Sequence, residues 1–230
     1  MARKLLVLGE SGTGKSFAAR NLNPAETFII CPDEKELPFR GWRKNYKTVL
    51  TDKGGVDMSK SNFYMSTDSA KISKAIDFIN SSRNDIKIII IDTISLMMVA
   101  SFMESASVKG FEKFTNQAVD VWSIFKKLNT LRDDLTVIVN AHTEKDREGA
   151  TDFFTPGGKL ISEKAKPVAM FTVVLETHVE FKNEQSVYSF MTQNNGMNVA
   201  KSPEGMFSGF LIPNDYAEVL DAIDKYENGE

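Results

Sequence analysis

The segment Gly9–Ser16, with the sequence GESGTGKS, limits what this chain can fold into more than any other feature. It follows the apolar run Lys4–Leu8 and precedes a short stretch with helical character. A strand, a glycine-rich turn and a helix in this order are the context in which a Walker A phosphate-binding loop occurs. Glycines let the backbone close around an anion without Cβ clashes. The segment therefore predicts an α/β fold whose first strand leads into a phosphate-binding loop.

The same motif gives its side chains separate tasks. Lys15 is expected to reach the β- and γ-phosphates of a nucleoside triphosphate, and the Ser16 hydroxyl to bind Mg²⁺. Backbone N–H groups of the loop and of the following helix start cradle phosphate oxygens. ATP and Mg²⁺ are thus the expected ligands. The predicted nucleotide-binding residues are Gly9, Glu10, Ser11, Gly12, Thr13, Gly14, Lys15, Ser16 and Phe17.

An almost wholly apolar run, Ile86–Ile91, ends at Asp92 and supports this prediction. A strand that is buried on both faces of a parallel sheet has such a composition. Asp92 follows its carboxyl end, where a Walker B aspartate holds the Mg²⁺ shell. Ser16 and Asp92 are therefore the predicted metal ligands.

The residue that activates water is not supplied by the same strand. Many ATPases have a glutamate directly after the Walker B aspartate, but Thr93 follows Asp92 here. Asp33 and Glu34 lie just past a second predicted strand, Thr27–Cys31, at the edge where parallel sheets bind ligands. We predict Glu34 as the catalytic base and Asp33 as the second candidate. The alternative is that both are solvated loop charges.

A further predicted strand, 135–142, ends at His142 on the same edge, and the segment 143–158 that follows has no periodicity. A loop of this length in a compact domain is usually functional or disordered. Cations and aromatic rings in such a loop can contact single-stranded nucleic acid. The candidate contacts are Lys145, Arg147, Phe153, Phe154 and Lys159. Local packing of the two phenylalanines is the alternative.

Composition narrows the class of protein. The 230 residues predict a single domain over 1–230, with a core over about 1–193 and a tail with a final helix over 194–230. The formal net charge of −3 gives no general attraction to nucleic acid, so any DNA binding must come from local basic loops. Cys31 is the only cysteine, which suits a reducing cytoplasm. No apolar run approaches membrane-spanning length, so we expect a cytoplasmic protein without a membrane partner.

These features together resemble the RecA-like ATPase core, and within it the small phage-encoded Sak-type single-strand annealing or recombination ATPases. The resemblance rests on four segments: Gly9–Ser16, Ile88–Asp92, Val137–His142 and Thr155–Leu160. The last is similar to the glycine pair that opens the helix after the second DNA-binding loop of RecA. The resemblance implies a mostly parallel central sheet flanked by helices. The alternating or apolar pattern of residues 169–180 and the partner pattern of 185–193 predict a C-terminal antiparallel hairpin.

It also implies function and partners. The expected activity is Mg²⁺-dependent ATP hydrolysis coupled to a loop that binds single-stranded DNA. The expected setting is a ring or filament of identical subunits that works with phage recombination or replication proteins in an infected bacterial host. By the same resemblance, His142 senses the γ-phosphate and Lys201 is a cationic finger for the neighbouring subunit's nucleotide. If the protein is monomeric, Lys201 is a solvated lysine.

Departures from the family keep other functions open. The predicted first strand begins at the start of the sequence, so we expect the amino-terminal arm by which RecA protomers join to be missing, and His142 stands where RecA has glutamine. One alternative is a nucleotide kinase, although such enzymes usually carry an arginine-rich lid and only Arg147 lies in the long loop. Another is a binding or loader module that ATP switches with little turnover.

Overall fold

The computed structural model describes residues 1–104, 112–146, 148–156 and 166–230, with the backbone alone over 112–118. Its strands are β1 (Arg3–Leu8), β2 (Thr27–Cys31), β3 (Phe63–Met65), β4 (Ile88–Ile91), β5 (Thr136–Ala141), β6 (Thr143–Lys145), β7 (Thr151–Phe153), β8 (Val173–Lys182), β9 (Gln185–Met191) and β10 (Leu211–Pro213). Its α-helices are α1 (Trp42–Asn45), α2 (Ser69–Ser82), α3 (Ile94–Glu104), α4 (Glu112–Leu128) and α5 (Tyr216–Asn228). Among the described residues, 3₁₀ helices span Phe17–Asn21 and Pro167–Met170.

Within the described residues, the main sheet has eight strands in the order β10-β9-β8-β1-β5-β4-β2-β3. Strands β3, β2, β4, β5, β1 and β8 are parallel to their neighbours in this run, whereas β9 pairs antiparallel with both β8 and β10. The predicted α/β class, with a mainly parallel sheet and a C-terminal antiparallel hairpin, is confirmed. The hairpin begins at Val173, because residues 167–170 form a 3₁₀ helix.

The core lies on both faces of the sheet because successive strand residues point to opposite sides. Leu6 and Leu8 of β1 pack in the cluster that contains the apolar sides of α2, α3 and α4. Leu5 and Val7 pack in the other cluster, with residues of α5 and of the 3₁₀ helix 17–21. Helix α5, which lies in the predicted C-terminal tail, therefore packs in the core.

The order of the strands decides what meets at the carboxyl edge. β5 separates β1 from β4, so the end of β1 at Leu8 pairs with Ala141, and the end of β4 at Ile91 pairs with Val139. The loops that leave β1, β4 and β5 consequently begin side by side. In the described part of the chain, no helix is long and apolar enough to cross a membrane.

Candidate functional site

The glycine-rich loop between β1 and the 3₁₀ helix 17–21 is anchored to β8. The Thr177 hydroxyl donates a hydrogen bond to Thr13 Oγ1 at 2.6 Å, and the Thr13 hydroxyl donates to the Glu10 carbonyl at 2.7 Å. A Cβ on Gly9 would lie 1.8 Å from Thr177 Oγ1, so no larger residue fits at position 9 without displacing that side chain. Gly14 has a φ of +99°, a conformation that L-residues with a side chain rarely adopt.

Lys15 is held inside this loop. Its side chain is 5% exposed, and Nζ donates to the carbonyls of Gly9 at 2.7 Å and Glu10 at 2.8 Å. Burial lowers the pKa of Lys15 to about 8, against the opposing effect of the nearby Asp92 carboxylate. The ammonium therefore sits where the motif requires it, surrounded by acceptors that a phosphate can replace.

Asp92, just past the end of β4, is 1% exposed. Its Oδ1 accepts hydrogen bonds from Asn140 Nδ2 at 2.9 Å and from the Thr93 hydroxyl at 3.3 Å. Asn140 Oδ1 in turn accepts from the Tyr216 hydroxyl at 2.6 Å. In the part of the chain that the structure describes, the buried Oδ2 of Asp92 has no hydrogen-bond partner.

This unpartnered oxygen fits a cation. Leaving a buried carboxylate oxygen without a donor is unfavourable, and a bound metal ion removes that cost. Carboxylate and hydroxyl oxygens are the hard ligands that Mg²⁺ takes, and it is usually held by one or two protein groups together with substrate phosphates. The chemistry of Asp92 and Ser16 matches that donor set.

Asp33 and Glu34 occupy different environments after β2. Asp33 Oδ1 accepts from the Thr93 N–H at 3.1 Å, and its carboxylate forms an ion pair with Lys35. The Asp33 side chain is largely buried. Glu34 is exposed and has a left-handed backbone with a φ of 51°. The geometry therefore favours Asp33 over Glu34, the reverse of the predicted order, because Asp33 contacts the residue that follows Asp92.

A cavity of about 430 Å³ opens beside the loop. It is lined by Ser11, Gly12, Gly14, Lys15, Ser16, Phe17, Lys35, Glu36, Pro38, His142 and Tyr188. Most of the predicted nucleotide-binding residues and His142 thus meet at one cavity. The sequence did not single out Lys35, Glu36 or Tyr188. Lys35 and Glu36 follow directly after the predicted acidic pair Asp33 and Glu34. Tyr188 lies at the cavity only because β9 folds back along β8.

His142 connects the cavity to its surroundings through its backbone. Its N–H donates to Ser95 Oγ of α3 at 2.8 Å, and its carbonyl accepts from the Phe154 N–H at 3.0 Å. Burial, and then the charge of Lys15, lower the pKa of the half-buried imidazole. The ring is consequently neutral at pH 7, the state in which it can donate one hydrogen bond and accept another.

The predicted DNA-binding residues differ in their exposure to solvent. Phe153 is 1% exposed and packs edge-on against Phe125, with ring centroids 6.3 Å apart, so the prediction that it is an exposed stacking residue is wrong. Alternation along β7 turns this ring toward the core. Phe154 is half-buried, and Lys145 is exposed on β6. The predicted contacts Arg147 and Lys159 lie outside the described residues.

Lys201, the predicted finger, is tied to β8 by its backbone. Its N–H donates to the Val174 carbonyl and its carbonyl accepts from the Val174 N–H, both at 2.8 Å. It lines a second cavity of about 310 Å³ together with Asp152 and Lys166. Only its half-exposed side chain is available for further contacts.

A second buried carboxylate, Glu176 on β8, was not predicted. Each of its oxygens lies 2.8 Å from the Thr151 hydroxyl, and Oε2 accepts from the Val199 N–H at 3.3 Å. Burial raises the pKa of Glu176. It ties β7 to β8 and to the segment before Lys201. No local motif marks it, because its partners come from distant parts of the chain.

Comparison with known proteins covers most of the chain. The AAA domain family model matches residues 1–203. No curated protein matches the sequence. Among solved structures, the crystal structure of a KaiC-like protein from the hyperthermophilic archaeon Pyrococcus horikoshii is similar, with 14% identity, a TM-score of 0.45, and coverage of 82% of this chain and 77% of that one. Because the family match spans most of the sequence and includes the loop, Asp92 and His142, the chain has a P-loop ATPase core and belongs to the AAA domain family.

Proposed function

We propose that this protein hydrolyses ATP with Mg²⁺ and couples the nucleotide state to the segment 143–156. The observation that carries the proposal is the carboxylate of Asp92. It is buried at the end of a central strand, one of its oxygens has no partner among the described residues, and its charge acts on Lys15 of the phosphate-binding loop. A buried carboxylate with one unpartnered oxygen beside a phosphate loop is typical of a metal-dependent phosphoryl-transfer site.

Each residue then has a defined task. Lys15 leaves the carbonyls of Gly9 and Glu10 to bind phosphate oxygens, while Ser16 and Asp92 hold the metal. Mg²⁺ held by these residues would neutralise charge on the phosphates and on the leaving group. Asn140 and Tyr216 fix the Asp92 carboxylate in one orientation, as the partners of a metal ligand do in other sites.

For the base we propose Asp33, with Glu34 as the second candidate. Asp33 accepts a hydrogen bond from Thr93, so it lies next to Asp92, the proposed metal ligand. A carboxylate there can orient the attacking water and accept its proton. The ammonium of Lys35 forms an ion pair with this carboxylate and fixes its position.

His142 is proposed to transmit the state of the γ-phosphate. Its ring lines the cavity and its backbone holds both α3 and the segment after β7. A shift of His142 toward a phosphate would therefore pull on Phe154. This is the route by which ATP would change the β6–β7 hairpin.

The biological role we propose is phage-type recombination or single-strand annealing. It is supported by the order of the motifs and by Lys145, an exposed cation on the hairpin that His142 contacts through Phe154. Assembly of identical subunits, with Lys201 facing the next subunit's nucleotide, belongs to the same proposal.

The deciding experiment measures ATP turnover with and without single-stranded DNA. Lys15→Ala is expected to abolish turnover, and DNA is expected to raise turnover of the parent protein. Lys145→Ala should weaken binding of a fluorescent oligonucleotide, whereas Lys53→Ala, at an exposed lysine in a different loop, should not. If Lys15→Ala turns over ATP at the parent rate, the hydrolysis mechanism fails. If the parent neither binds the oligonucleotide nor responds to it, the DNA role fails while the ATPase role stands.

A further inference from the structure

Asn214, between β10 and α5, has a buried side chain whose hydrogen-bonding groups are not used. It is 4% exposed, and neither Nδ2 nor Oδ1 has a hydrogen-bond partner in the described part of the chain. Its backbone is held firmly, because its carbonyl accepts from Arg20 Nη1 at 2.6 Å. The next residue, Asp215, caps α5 by accepting from the Ala217 N–H. An amide that is buried without partners is unfavourable for folding, so it calls for a reason other than stability.

This amide lies directly on the phosphate-binding loop. Both Nδ2 and Oδ1 are 3.1 Å from the position that a Cβ on Gly14 would take, and Tyr188 Cδ1 is at the same distance. Strands β9 and β10 pair Ser189 with Pro213, so Tyr188 and Asn214 are the next neighbours across the strands. Tyr188 lines the cavity beside the loop, whereas Asn214 does not.

The position in the sheet separates this pair from the metal site. Asp92 follows β4, on the β5 side of β1, whereas Tyr188 belongs to β9, on the β8 side. A nucleotide whose terminal phosphates lie near Lys15 and Asp92 would extend its other end across the loop toward Tyr188. Phe17, a partly exposed aromatic residue, lines the same cavity and adds a second apolar surface.

We propose that Tyr188 and Asn214 form the subsite for the adenine base of ATP. The Tyr188 ring stacks on the purine, and its rotation away from Gly14 opens the Asn214 amide to the edge of the base. A carboxamide supplies one acceptor and a donor group side by side, which complements the 6-amino donor and the adjacent ring nitrogen acceptor of adenine. The inference rests on the proposed function, since it takes ATP as the ligand of the loop.

The uncharged character of the pair favours a base over a phosphate. Phosphate recognition uses cations and backbone N–H groups, which the loop and Lys15 already supply. Tyr188 is 37% exposed, so part of its side chain is accessible to a ligand in the cavity.

The test is the affinity for ATP, GTP and inorganic tripolyphosphate, measured by calorimetry. Asn214→Leu should weaken ATP binding about fivefold to tenfold, the usual effect of one or two lost hydrogen bonds, and leave tripolyphosphate affinity unchanged. The melting temperature of Asn214→Leu should be equal to or above that of the parent, because the variant removes an unpartnered buried amide. Asn214→Asp offers acceptors alone and should lower the ratio of ATP affinity to GTP affinity. Tyr188→Leu should weaken ATP and GTP by similar factors.

Asn198→Leu is the matched control, since Asn198 is also buried but its amide is hydrogen-bonded to Asn195 and Ala200. It should lower the melting temperature and leave the ratio of ATP to tripolyphosphate affinity unchanged. The subsite is overturned if Asn214→Leu keeps the parent's ratio of ATP to tripolyphosphate affinity, or if the parent binds GTP as tightly as ATP. Failure of the proposed function looks different: the parent would then not hydrolyse ATP, whatever its ratio of ATP to tripolyphosphate affinity.

Discussion

Two buried carboxylates lie at the same edge of the sheet and are treated in opposite ways by the rest of the molecule. Both oxygens of Glu176 contact the Thr151 hydroxyl, and a third contact comes from the Val199 N–H. Asp92 is buried more deeply, yet only its Oδ1 has partners and Oδ2 has none in the described residues. The hydrogen bonds of Glu176 therefore hold segments of the chain together, whereas one oxygen of Asp92 is available to bind a ligand.

The difference teaches that burial alone does not identify a functional carboxylate. A buried acid is tolerated when neutral donors surround it, and it is then part of the structure. A buried acid with an oxygen left over marks a site where something else must bind. The same reasoning singles out Asn214 and gives no special role to Glu176.

The largest expected effect separates the two acids directly. Asp92→Asn should reduce ATP turnover by about 10³-fold or more, because the substituted amide is a neutral and poorer ligand for the metal. Glu176→Gln should stay within about threefold of the parent, since it lies outside the metal site. Steady-state turnover at several Mg²⁺ concentrations measures both. Equal losses in the two variants would contradict the distinction.

A smaller effect is expected at the pair after β2. Asp33→Asn should lower turnover by about 10²-fold, the usual scale for losing a general base, whereas Glu34→Gln should lower it by less than about fivefold. Single-turnover rates at saturating ATP separate this chemical step from binding. A larger loss in Glu34→Gln would restore the order that the sequence predicted.

Loss of a residue that orients Asp92 should have a smaller effect than loss of Asp92 itself. Tyr216→Phe removes the donor to Asn140 and lets that amide reorient, so we expect the apparent Mg²⁺ affinity to fall about tenfold. Because one buried hydrogen bond is lost, unfolding free energy should fall by about 1 kcal/mol. Tyr46→Phe, at another buried tyrosine, is the control and should not change Mg²⁺ affinity. Unchanged Mg²⁺ dependence in Tyr216→Phe would remove Tyr216 from the site.

The smallest expected effect is a pH dependence of the free energy of unfolding, caused by Glu176. Burial raises its pKa in the folded protein above the usual value of 4.5, so the folded chain holds this proton more tightly than the unfolded chain does. The contribution of Glu176 to stability is therefore fully present below pH 4.5 and is lost as the pH rises through the folded pKa. Glu176→Gln should be more stable than the parent at pH 7.5, and this gain should shrink toward pH 5. Urea unfolding at the two pH values tests this, and a gain that grows toward pH 5 would contradict the assignment.

Local signals were sufficient where the chemistry depends on adjacent residues. The segment Gly9–Ser16 and the run ending at Asp92 predicted the first strand, the loop, a central strand and its carboxylate, because a phosphate loop and a fully buried strand each require residues that are close in sequence. His142 was found in the same way, as the polar end of an apolar strand.

Contacts between distant segments were decided by the tertiary structure. Phe153 was expected in a surface loop, but a short β-hairpin turns it into the core against Phe125. Which of Asp33 and Glu34 faces Thr93 depends on the backbone turn after β2, and the unpartnered amide of Asn214 is visible only once β10 lies beside Gly14. The sequence by itself determined the loop, the central strands and the phosphate chemistry, because these features depend on residues that are adjacent in the sequence. The tertiary structure decided which buried polar groups are satisfied and which remain free, because hydrogen-bond partners such as Tyr216 and Asn140 are 76 positions apart.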